Sequence, residues 1–251
     1  MNEIGEVKTA LEGGVATISF HHPKGNSLPR SLLAALEQNI LAVGADENVK
    51  VVVLKSEGSG SFCAGASFDE LCLLREQGEA ESFFLGFYRV MMALIGCPVP
   101  VVARVQGKFV GGGVGLVAAC DYTVGSVHAA ARLSEVSIGL GPLVVGPVVE
   151  HKIGVAHFGS MMFGTKWHLS DWCQRCGLLS LIVDGDEHDL DRSVEEVINS
   201  LKSSSRAALQ ASKRLWWSRF EYQESEAYAR AATVGALALT SECHEKLATL
   251  R

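Results

Sequence analysis

The sequence predicts an α/β protein, in which helices pack on a sheet, with a final third that is nearly all helix. Apolar runs of strand length alternate with segments of helical periodicity over residues 15–133. Two of the strand-to-helix junctions are rich in glycine and other small residues. After Pro142 the helical pattern dominates. The 251 residues are enough for one large α/β domain or two small ones, and no linker or low-complexity segment divides them.

Strands and helices alternate in the first part of the chain. Strands are predicted at residues 15–20, 49–55, 101–105, 122–125 and 131–133. Helices are predicted from Ser27 onwards and at residues 69–77, 81–95 and 114–120. In the first helix, apolar residues recur at helical spacing and Pro29 suits the first turn. This order of elements is typical of helices packed on a sheet.

The second part is predicted to be mostly helical. Helices are predicted at residues 155–163, 170–176, 190–201, 206–220 and 225–247, and one strand at residues 178–183. Ser170 suits the N-cap and Gly177 the C-cap of the helix between them. We therefore expect a core at residues 1–185 and a helical C-terminal region at residues 186–251, within the same functional domain.

Charge and hydropathy argue against several kinds of partner. The formal net charge is -6 and there is no long basic run, which argues against nucleic acid. No apolar run approaches the roughly 20 residues of a membrane span. The first residues have no signal-type apolar core. We predict a cytoplasmic protein without a nucleic-acid or membrane partner.

The 7 cysteines are interpreted as buried, reduced thiols. Their number is odd and most lie in apolar surroundings. Cys173 and Cys176 have the spacing of a redox or zinc pair, but no second pair accompanies them, so two ordinary helix cysteines are predicted. The histidines show no ligand spacing, and no metal site is predicted.

Three consecutive glycines, Gly111 to Gly113, lie between an apolar strand and a helical segment. Glycine allows a positive φ and lets the backbone approach a ligand closely. The first N–H groups of a helix have no internal partner. Such groups can hold a phosphate, or the oxygen of a carbonyl that becomes negative during a reaction.

A second junction of the same kind spans residues 59–71, with Gly60, Gly65 and several small residues. It also follows a strand and precedes a helix. Two such junctions can each supply one backbone N–H, and two converging donors form an oxyanion hole. The alternative is that both junctions are only tight turns.

Glu135 lies among apolar and small residues just after a short predicted strand. A carboxyl group in such a setting loses hydration, which raises its pKa and suits it to carry protons near neutral pH. The alternative is an exposed loop glutamate.

Together these features resemble the crotonase, or enoyl-CoA hydratase/isomerase, superfamily. Five segments carry the resemblance in order over nearly the whole chain, at residues 20–28, 62–66, 106–121, 135–142 and 169–178. The second segment reads Phe-Cys-Ala-Gly-Ala, and the third contains the three glycines. Each segment alone is weak evidence, whereas all five in this order and at these separations are specific.

The resemblance implies a spiral of repeated β-β-α turns with a helical C-terminal region that builds homotrimers, often paired into hexamers. It implies an acyl-CoA thioester substrate, with coenzyme A as part of that substrate and no prosthetic group. Glu135 would carry protons, and the amides of Ala64 and Gly112 would bind the thioester oxygen. The residues implied in substrate binding are Lys24, Ala64, Ala66, Ser67, Phe68, Gly111, Gly112 and Pro142.

The chain departs from the family pattern at four positions. Gly115 stands where family hydratases carry the first of their two glutamates. Ser67 stands where many members have aspartate. Leu143 begins a stretch that is usually rich in glycine and shapes the water site. His244 occupies a C-terminal position that is often basic.

These departures leave three functions open. The overall pattern favours an enoyl-CoA hydratase-like lyase. The loss of one glutamate favours an enoyl-CoA isomerase or acyl-CoA decarboxylase that uses Glu135 alone, because addition of water normally needs two proton-carrying partners. The third is a non-catalytic acyl-CoA-binding protein, which a Glu135 turned away from the donors would favour.

Overall fold

The computed structural model describes residues 5–249 of the chain. The strands are β1 (Glu6–Glu12), β2 (Val15–His21), β3 (Val51–Ser56), β4 (Val101–Val105), β5 (Phe109–Val110), β6 (Tyr122–Ser126), β7 (Ala130–Arg132), β8 (His168–Leu169) and β9 (Leu181–Val183). The helices are α1 (Arg30–Ala45), α2 (Phe68–Leu73), α3 (Gln77–Gly96), α4 (Gly112–Ala118), α5 (Gly146–Gly164), α6 (Ser170–Arg175), α7 (Glu187–Ser203), α8 (Arg206–Trp217), α9 (Glu224–Ala238) and α10 (Ser241–Ala248).

Six strands form the main sheet, in the order β1-β2-β3-β4-β6-β9. Strands β1 and β2 form an antiparallel pair, and the other neighbours are parallel. Each residue of β4 is buried. This is expected of a parallel strand covered on both faces, and it explains the apolar composition of that segment.

The strands β5, β7 and β8 form a second, smaller sheet. Strand β5 runs parallel to β7, and β8 is antiparallel to β7. A 3-10 helix, Glu135–Ile138, follows β7 almost at once. The small sheet therefore brings the residues just before the three glycines next to the residues just before Glu135.

Two apolar clusters hold these layers together. The larger cluster fills the space between the sheets and helices such as α1, α3 and α4. The smaller cluster lies on the other face of the main sheet, where Val53 and Val102 pack with Leu190 and Val194 of α7. The helical C-terminal part thus covers the sheet directly. Helix α9 also packs along α3.

Several element boundaries differ from the sequence expectations. Strands β5 and β8 have two residues each, too few to show a period. Strand β1 is mostly exposed and polar, so it lacks an apolar alternation. The predicted helix at residues 225–247 is two helices, because Thr240 is extended and its side chain accepts a hydrogen bond from the amide of Cys243 at the start of α10.

The cap of α6 and the start of α5 also differ from the sequence expectations. Ser170 is not the N-cap, because Leu169 holds that position and the Ser170 hydroxyl donates to the carbonyl of Val127 at 3.0 Å. Gly177 has φ +82° just after α6, which confirms its role in ending that helix. Helix α5 begins earlier than predicted and bends at Gly154, which has non-helical angles.

Candidate active site

The two glycine-rich junctions are hydrogen-bonded to each other. The amide of Cys63 donates to the carbonyl of Lys108 at 3.2 Å, and the amide of Val110 donates to the carbonyl of Cys63 at 2.9 Å. These bonds form a parallel bridge between Cys63 and Phe109. The chain after Cys63 therefore runs beside the chain that leads into the three glycines.

Glycine is needed where the two junctions meet. A Cβ atom on Gly65 would lie 2.7 Å from the carbonyl oxygen of Val110, and Gly65 has φ +87°. A Cβ atom on Gly113 would lie 2.8 Å from that of Cys63. A larger residue at either position would push the two segments apart, since these distances are below van der Waals contact.

The free amide donors differ in part from the expectation. The amide of Ala64 donates to the carbonyl of Gly25 at 3.0 Å. This corrects the assignment of Ala64 as a free donor, because its single N–H is already engaged. The amides of Ala66 and Gly112 have no acceptor within residues 5–249. Gly112 is the first residue of α4, where an N–H has no partner inside the helix.

Glu135 lies against Gly111, the residue before Gly112. Its Oε1 atom is 3.0 Å from the position that a Cβ atom of Gly111 would take. The residue as a whole is half-buried, but its Oε2 atom is inaccessible to solvent and has no hydrogen-bond partner among the described residues. Burial raises the pKa of Glu135 to about 7, and the backbone amides of Glu135 and Ser134 partly oppose this rise.

These groups face one cavity of about 390 Å³. The predicted site residues that line it are Lys24, Ala64, Ala66, Phe68, Gly111, Gly112, Glu135 and Pro142. Ser67 does not line it, because the Ser67 side chain is buried and caps α2 by accepting a hydrogen bond from the amide of Glu70. Lys24 is paired with Asp69 at 2.5 Å, and both side chains are largely exposed.

Gly115 does not line the cavity and is packed against apolar side chains. A Cβ atom there would lie 2.8 Å from the sulfur of Met91 and 2.9 Å from Cγ1 of Val145. There is therefore no room for a glutamate at this position without movement of the core. Phe87, Leu143 and Val145 line the cavity. The Phe87 ring packs so closely on Gly112 that it would overlap a Cβ atom there. His244 does not line the cavity.

Three groups of the cavity were not foreseen from the sequence. Phe84 and Phe87 come from α3, whose contacts depend on how that helix packs. Arg132 lies in β7, which was predicted as a strand, but its position in the cavity wall depends on pairing with β5, and Trp167 directly precedes the two-residue strand β8. The third is the free amide of Ala66. Ala66 lies two residues after Ala64 in the same segment, and only the hydrogen-bond partners show which of the two amides is free to donate.

Within residues 5–249 no group of three or more histidine, cysteine, aspartate or glutamate side chains is arranged to hold a metal ion. Among the same residues, no helix has both the length and the apolar composition needed to cross a bilayer. All seven cysteines are unpaired, and six of them, including Cys173 and Cys176, are buried.

The fold is of the crotonase type, and the chain belongs to the enoyl-CoA hydratase/isomerase family, whose sequence model matches most of its length. The sequence model described as Enoyl-CoA hydratase/isomerase matches residues 10–245. Enzymes of this family act on coenzyme A thioesters without a prosthetic group. The resemblance drawn from the five sequence segments is thereby confirmed.

Known proteins agree with this membership. The chain is 28% identical over 216 residues to a short-chain-enoyl-CoA hydratase of Clostridium acetobutylicum, covering 84% of this chain and 81% of that protein. It is 27% identical over 176 residues to the mitochondrial methylglutaconyl-CoA hydratase of Rattus norvegicus, covering 69% and 56% of the two chains.

Solved structures share the fold. An enoyl-CoA hydratase from Bacillus halodurans superposes with a TM-score of 0.89 over 97% of this chain and 99% of that chain, at 19% identity. An enoyl-CoA hydratase from Mycobacterium smegmatis superposes with a TM-score of 0.80 at 28% identity, covering 95% and 91% of the two chains. The predicted crotonase-like fold with a helical C-terminal region is confirmed.

Proposed function

We propose that this protein is an enoyl-CoA isomerase, which moves a carbon–carbon double bond of an acyl-CoA thioester from the 3-position into conjugation with the carbonyl. One observation carries the proposal. Glu135 is the single carboxyl group lining the cavity within residues 5–249, and its pKa of about 7 suits both loss and gain of a proton.

The isomerisation needs one proton carrier and one site for negative charge. The Glu135 carboxylate takes a proton from the α carbon of a 3-enoyl thioester, and the electron pair delocalises onto the thioester oxygen. The amides of Ala66 and Gly112 stabilise that oxygen, because both are free to donate. The protonated Glu135 then returns the proton to the γ carbon, which gives the 2-enoyl thioester with no other reactant.

The surroundings of Gly115 support isomerisation over hydration. Addition of water needs a group that holds and activates the water, and the space near Gly115 is filled by Met91 and Val145. The loss of a catalytic acid or base costs on the order of 10²–10⁴-fold in rate. We therefore expect hydration of 2-enoyl-CoA to be slow in this protein.

Hydration is nevertheless the second candidate, because relatives in Clostridium acetobutylicum and Rattus norvegicus carry hydratase names. Binding without catalysis is less well supported. That function would leave Glu135 turned away from the donors, and its Oε1 atom instead lies against Gly111, next to the free amide of Gly112.

Two substrates separate these functions. Conversion of 3-hexenoyl-CoA to a product of equal mass with conjugated absorbance indicates isomerisation, whereas loss of absorbance of crotonyl-CoA with a gain of one water indicates hydration. We expect the first reaction to dominate. Faster hydration than isomerisation would refute the proposal, and turnover of neither substrate with retained binding of coenzyme A would favour a binding protein.

Replacing Glu135 by glutamine tests the proton carrier. We expect Glu135→Gln to lower the isomerisation rate by about 10²–10⁴-fold, because glutamine cannot accept the proton. The matched control is Glu12→Gln at the exposed end of β1, which should leave the rate unchanged. Coenzyme A affinity, measured by calorimetry, should stay within a few-fold in both variants. An active Glu135→Gln enzyme would remove Glu135 from the mechanism.

We further propose that the protein forms a homotrimer or hexamer in a reducing compartment such as the cytoplasm. Large apolar side chains are exposed on α5 and α8, among them Val155, Phe163, Leu215 and Trp216. Contact between copies would bury them. The unpaired thiols suit a reducing compartment. Light scattering during size-exclusion chromatography tests the assembly, and a monomer at micromolar concentration would refute it.

A further inference from the structure

One wall of the active cavity is formed by the small sheet. Val110 in β5 pairs with Arg132 in β7, and Trp167 directly precedes β8. All three residues line the cavity. Because Ala131 and Leu133 are buried in the core, the alternation along the strand directs Arg132 to the cavity side.

Arg132 has no anionic partner within the part of the chain that the structure describes. Its Nε atom is inaccessible to solvent and makes no hydrogen bond there. The guanidinium carbon lies 5.9 Å from the centre of the Trp167 ring, and no ion pair involves Arg132. An N–H donor that is withdrawn from water without a hydrogen-bond partner costs free energy. A ligand with anionic oxygens can supply that partner.

The position of Arg132 indicates which part of the substrate reaches it. Its carbonyl accepts a hydrogen bond of 2.9 Å from the amide of Gly111, the residue before Gly112. Glu135 follows three residues later in the chain. The backbone of Arg132 is therefore anchored next to Gly111 and Gly112, and Gly112 is the proposed donor to the thioester oxygen. The phosphates of coenzyme A lie a whole pantetheine arm away from the thioester carbonyl, so the anion next to Arg132 belongs to the acyl group.

We propose that Arg132 binds a carboxylate at the far end of the acyl chain, so that the preferred substrates are enoyl-CoA thioesters of dicarboxylic acids. This inference builds on the proposed function. A guanidinium presents two parallel N–H donors that match a carboxylate, and the Trp167 ring supports its face. Lys24 also lines the cavity, but Asp69 already neutralises it.

Binding of unreactive thioesters tests the proposal without turnover. Adipoyl-CoA and hexanoyl-CoA have equal chain lengths and differ by one terminal carboxylate. We expect the wild-type protein to bind adipoyl-CoA about tenfold more tightly in calorimetric titration. The Arg132→Gln variant should lose about 10- to 100-fold of the adipoyl-CoA affinity and keep that of hexanoyl-CoA within about threefold.

Two further variants make the test specific. Lys108 carries a second cation, 5.0 Å from the centre of the Trp167 ring, but does not line the cavity, so Lys108→Gln should leave the preference for adipoyl-CoA intact. Arg132→Lys keeps the charge without the paired donors. Its affinity for adipoyl-CoA should therefore lie between those of wild type and Arg132→Gln. Circular dichroism and thermal melting verify that each variant is folded.

The outcomes that overturn the proposal are distinct from failure of the isomerase function. Equal binding of the two thioesters by wild type would refute it. Equal weakening of both thioesters by Arg132→Gln would place the guanidinium on the coenzyme A moiety instead. If isomerisation occurs, kcat/KM for 3-hexenedioyl-CoA should fall about 10- to 100-fold in Arg132→Gln, and that for 3-hexenoyl-CoA should change little.

Discussion

Glu135 meets two opposing requirements at the level of the single residue. A proton carrier must ionise near the working pH, whereas a carboxylate buried without partners is costly. Burial raises the pKa of Glu135 to about 7, and two backbone amides keep it from rising further. The same environment therefore prepares the group for proton transfer and makes its ionised form expensive.

The rate of isomerisation should follow the ionisation of Glu135. The free enzyme must carry the carboxylate to remove the α proton, so kcat/KM should be constant above a pH of about 7 and fall about tenfold per unit below it. Initial rates with subsaturating 3-hexenoyl-CoA between pH 5.5 and 8.5 measure this. A profile that is flat across this range would contradict the role of a buried carboxyl group as base.

The free energy of unfolding should depend on pH in the opposite direction to the rate, and should fall as the pH rises. The pKa of Glu135 is raised from 4.5 to about 7 on folding, so its contribution is fully present below pH 4.5 and is lost as the pH rises through about 7. We expect Glu135→Gln to exceed wild type in free energy of unfolding by on the order of 2–3 kcal/mol at pH 8.

Urea unfolding of both proteins at pH 8 and near pH 4.5 measures this difference. The gain of Glu135→Gln over wild type should shrink towards zero at the lower pH, because the native carboxyl group is then protonated in any case. The exposed Glu12→Gln variant should show no such dependence. Equal stability of wild type and Glu135→Gln at pH 8 would mean that ionised Glu135 finds a partner.

At the level of elements, the site depends on two turns that are held by backbone hydrogen bonds. The bridge between Cys63 and Phe109 fixes the two segments, and Gly65 lets them approach. Neither turn contains a catalytic side chain. Their contribution is to leave the amides of Ala66 and Gly112 without an acceptor among the described residues, in two residues that both line the cavity.

A methyl group on Gly65 should therefore impair catalysis. In Gly65→Ala the Cβ atom would lie 2.7 Å from the carbonyl oxygen of Val110, at a φ of +87° that disfavours alanine, so the Ala66 segment must move away from Gly112. Removal of one oxyanion donor costs about 10²–10³-fold in kcat. We expect a loss of this size, measured with 3-hexenoyl-CoA.

Gly60→Ala is the matched control for this prediction. Gly60 lies in the same junction, but a Cβ atom there would have no neighbour within 4 Å and its φ is not positive. This variant should retain the wild-type rate. A Gly65→Ala enzyme with wild-type kcat would show that the distance between the two turns does not matter for catalysis.

For the molecule as a whole, a buried ion pair joins the C-terminal helices to the sheet and to α4. Lys213 of α8 is paired with Asp121 at 2.7 Å, and their side chains are 5% and 15% exposed. Asp121 also accepts hydrogen bonds from the amide of Val101 and from the indole of Trp217. The expected division at residue 185 therefore separates parts of the chain that share a polar network.

Removing the charge of Lys213 should destabilise the fold strongly. Lys213→Met leaves the Asp121 carboxylate buried without its cation, and breaking a buried pair in this way costs about 3–5 kcal/mol. The control is Lys246→Met, whose exposed pair with Glu242 at 3.3 Å should contribute less than about 1 kcal/mol. Urea unfolding measures both variants. Equal losses in free energy of unfolding would contradict the claim that the buried pair contributes more than the exposed one.

The sequence by itself determined the α/β class, the family and the segments that build the site. Each of these depends on local patterns. Strand-to-helix junctions are recognisable from a few consecutive residues, and Gly115 shows directly that the first hydratase glutamate is missing. For Glu135 the neighbouring residues left a buried and an exposed carboxyl group both open, and the burial of its Oε2 atom is seen only in the structure.

Only the tertiary structure decided which groups meet. Ala64 and Ala66 are equivalent in the sequence, and they differ because the carbonyl of Gly25, 39 residues earlier in the chain, accepts from one amide and not from the other. Arg132 enters the cavity because a two-residue strand pairs beside it. Contacts between distant segments depend on packing and hydrogen-bond register, which no local pattern of residues encodes.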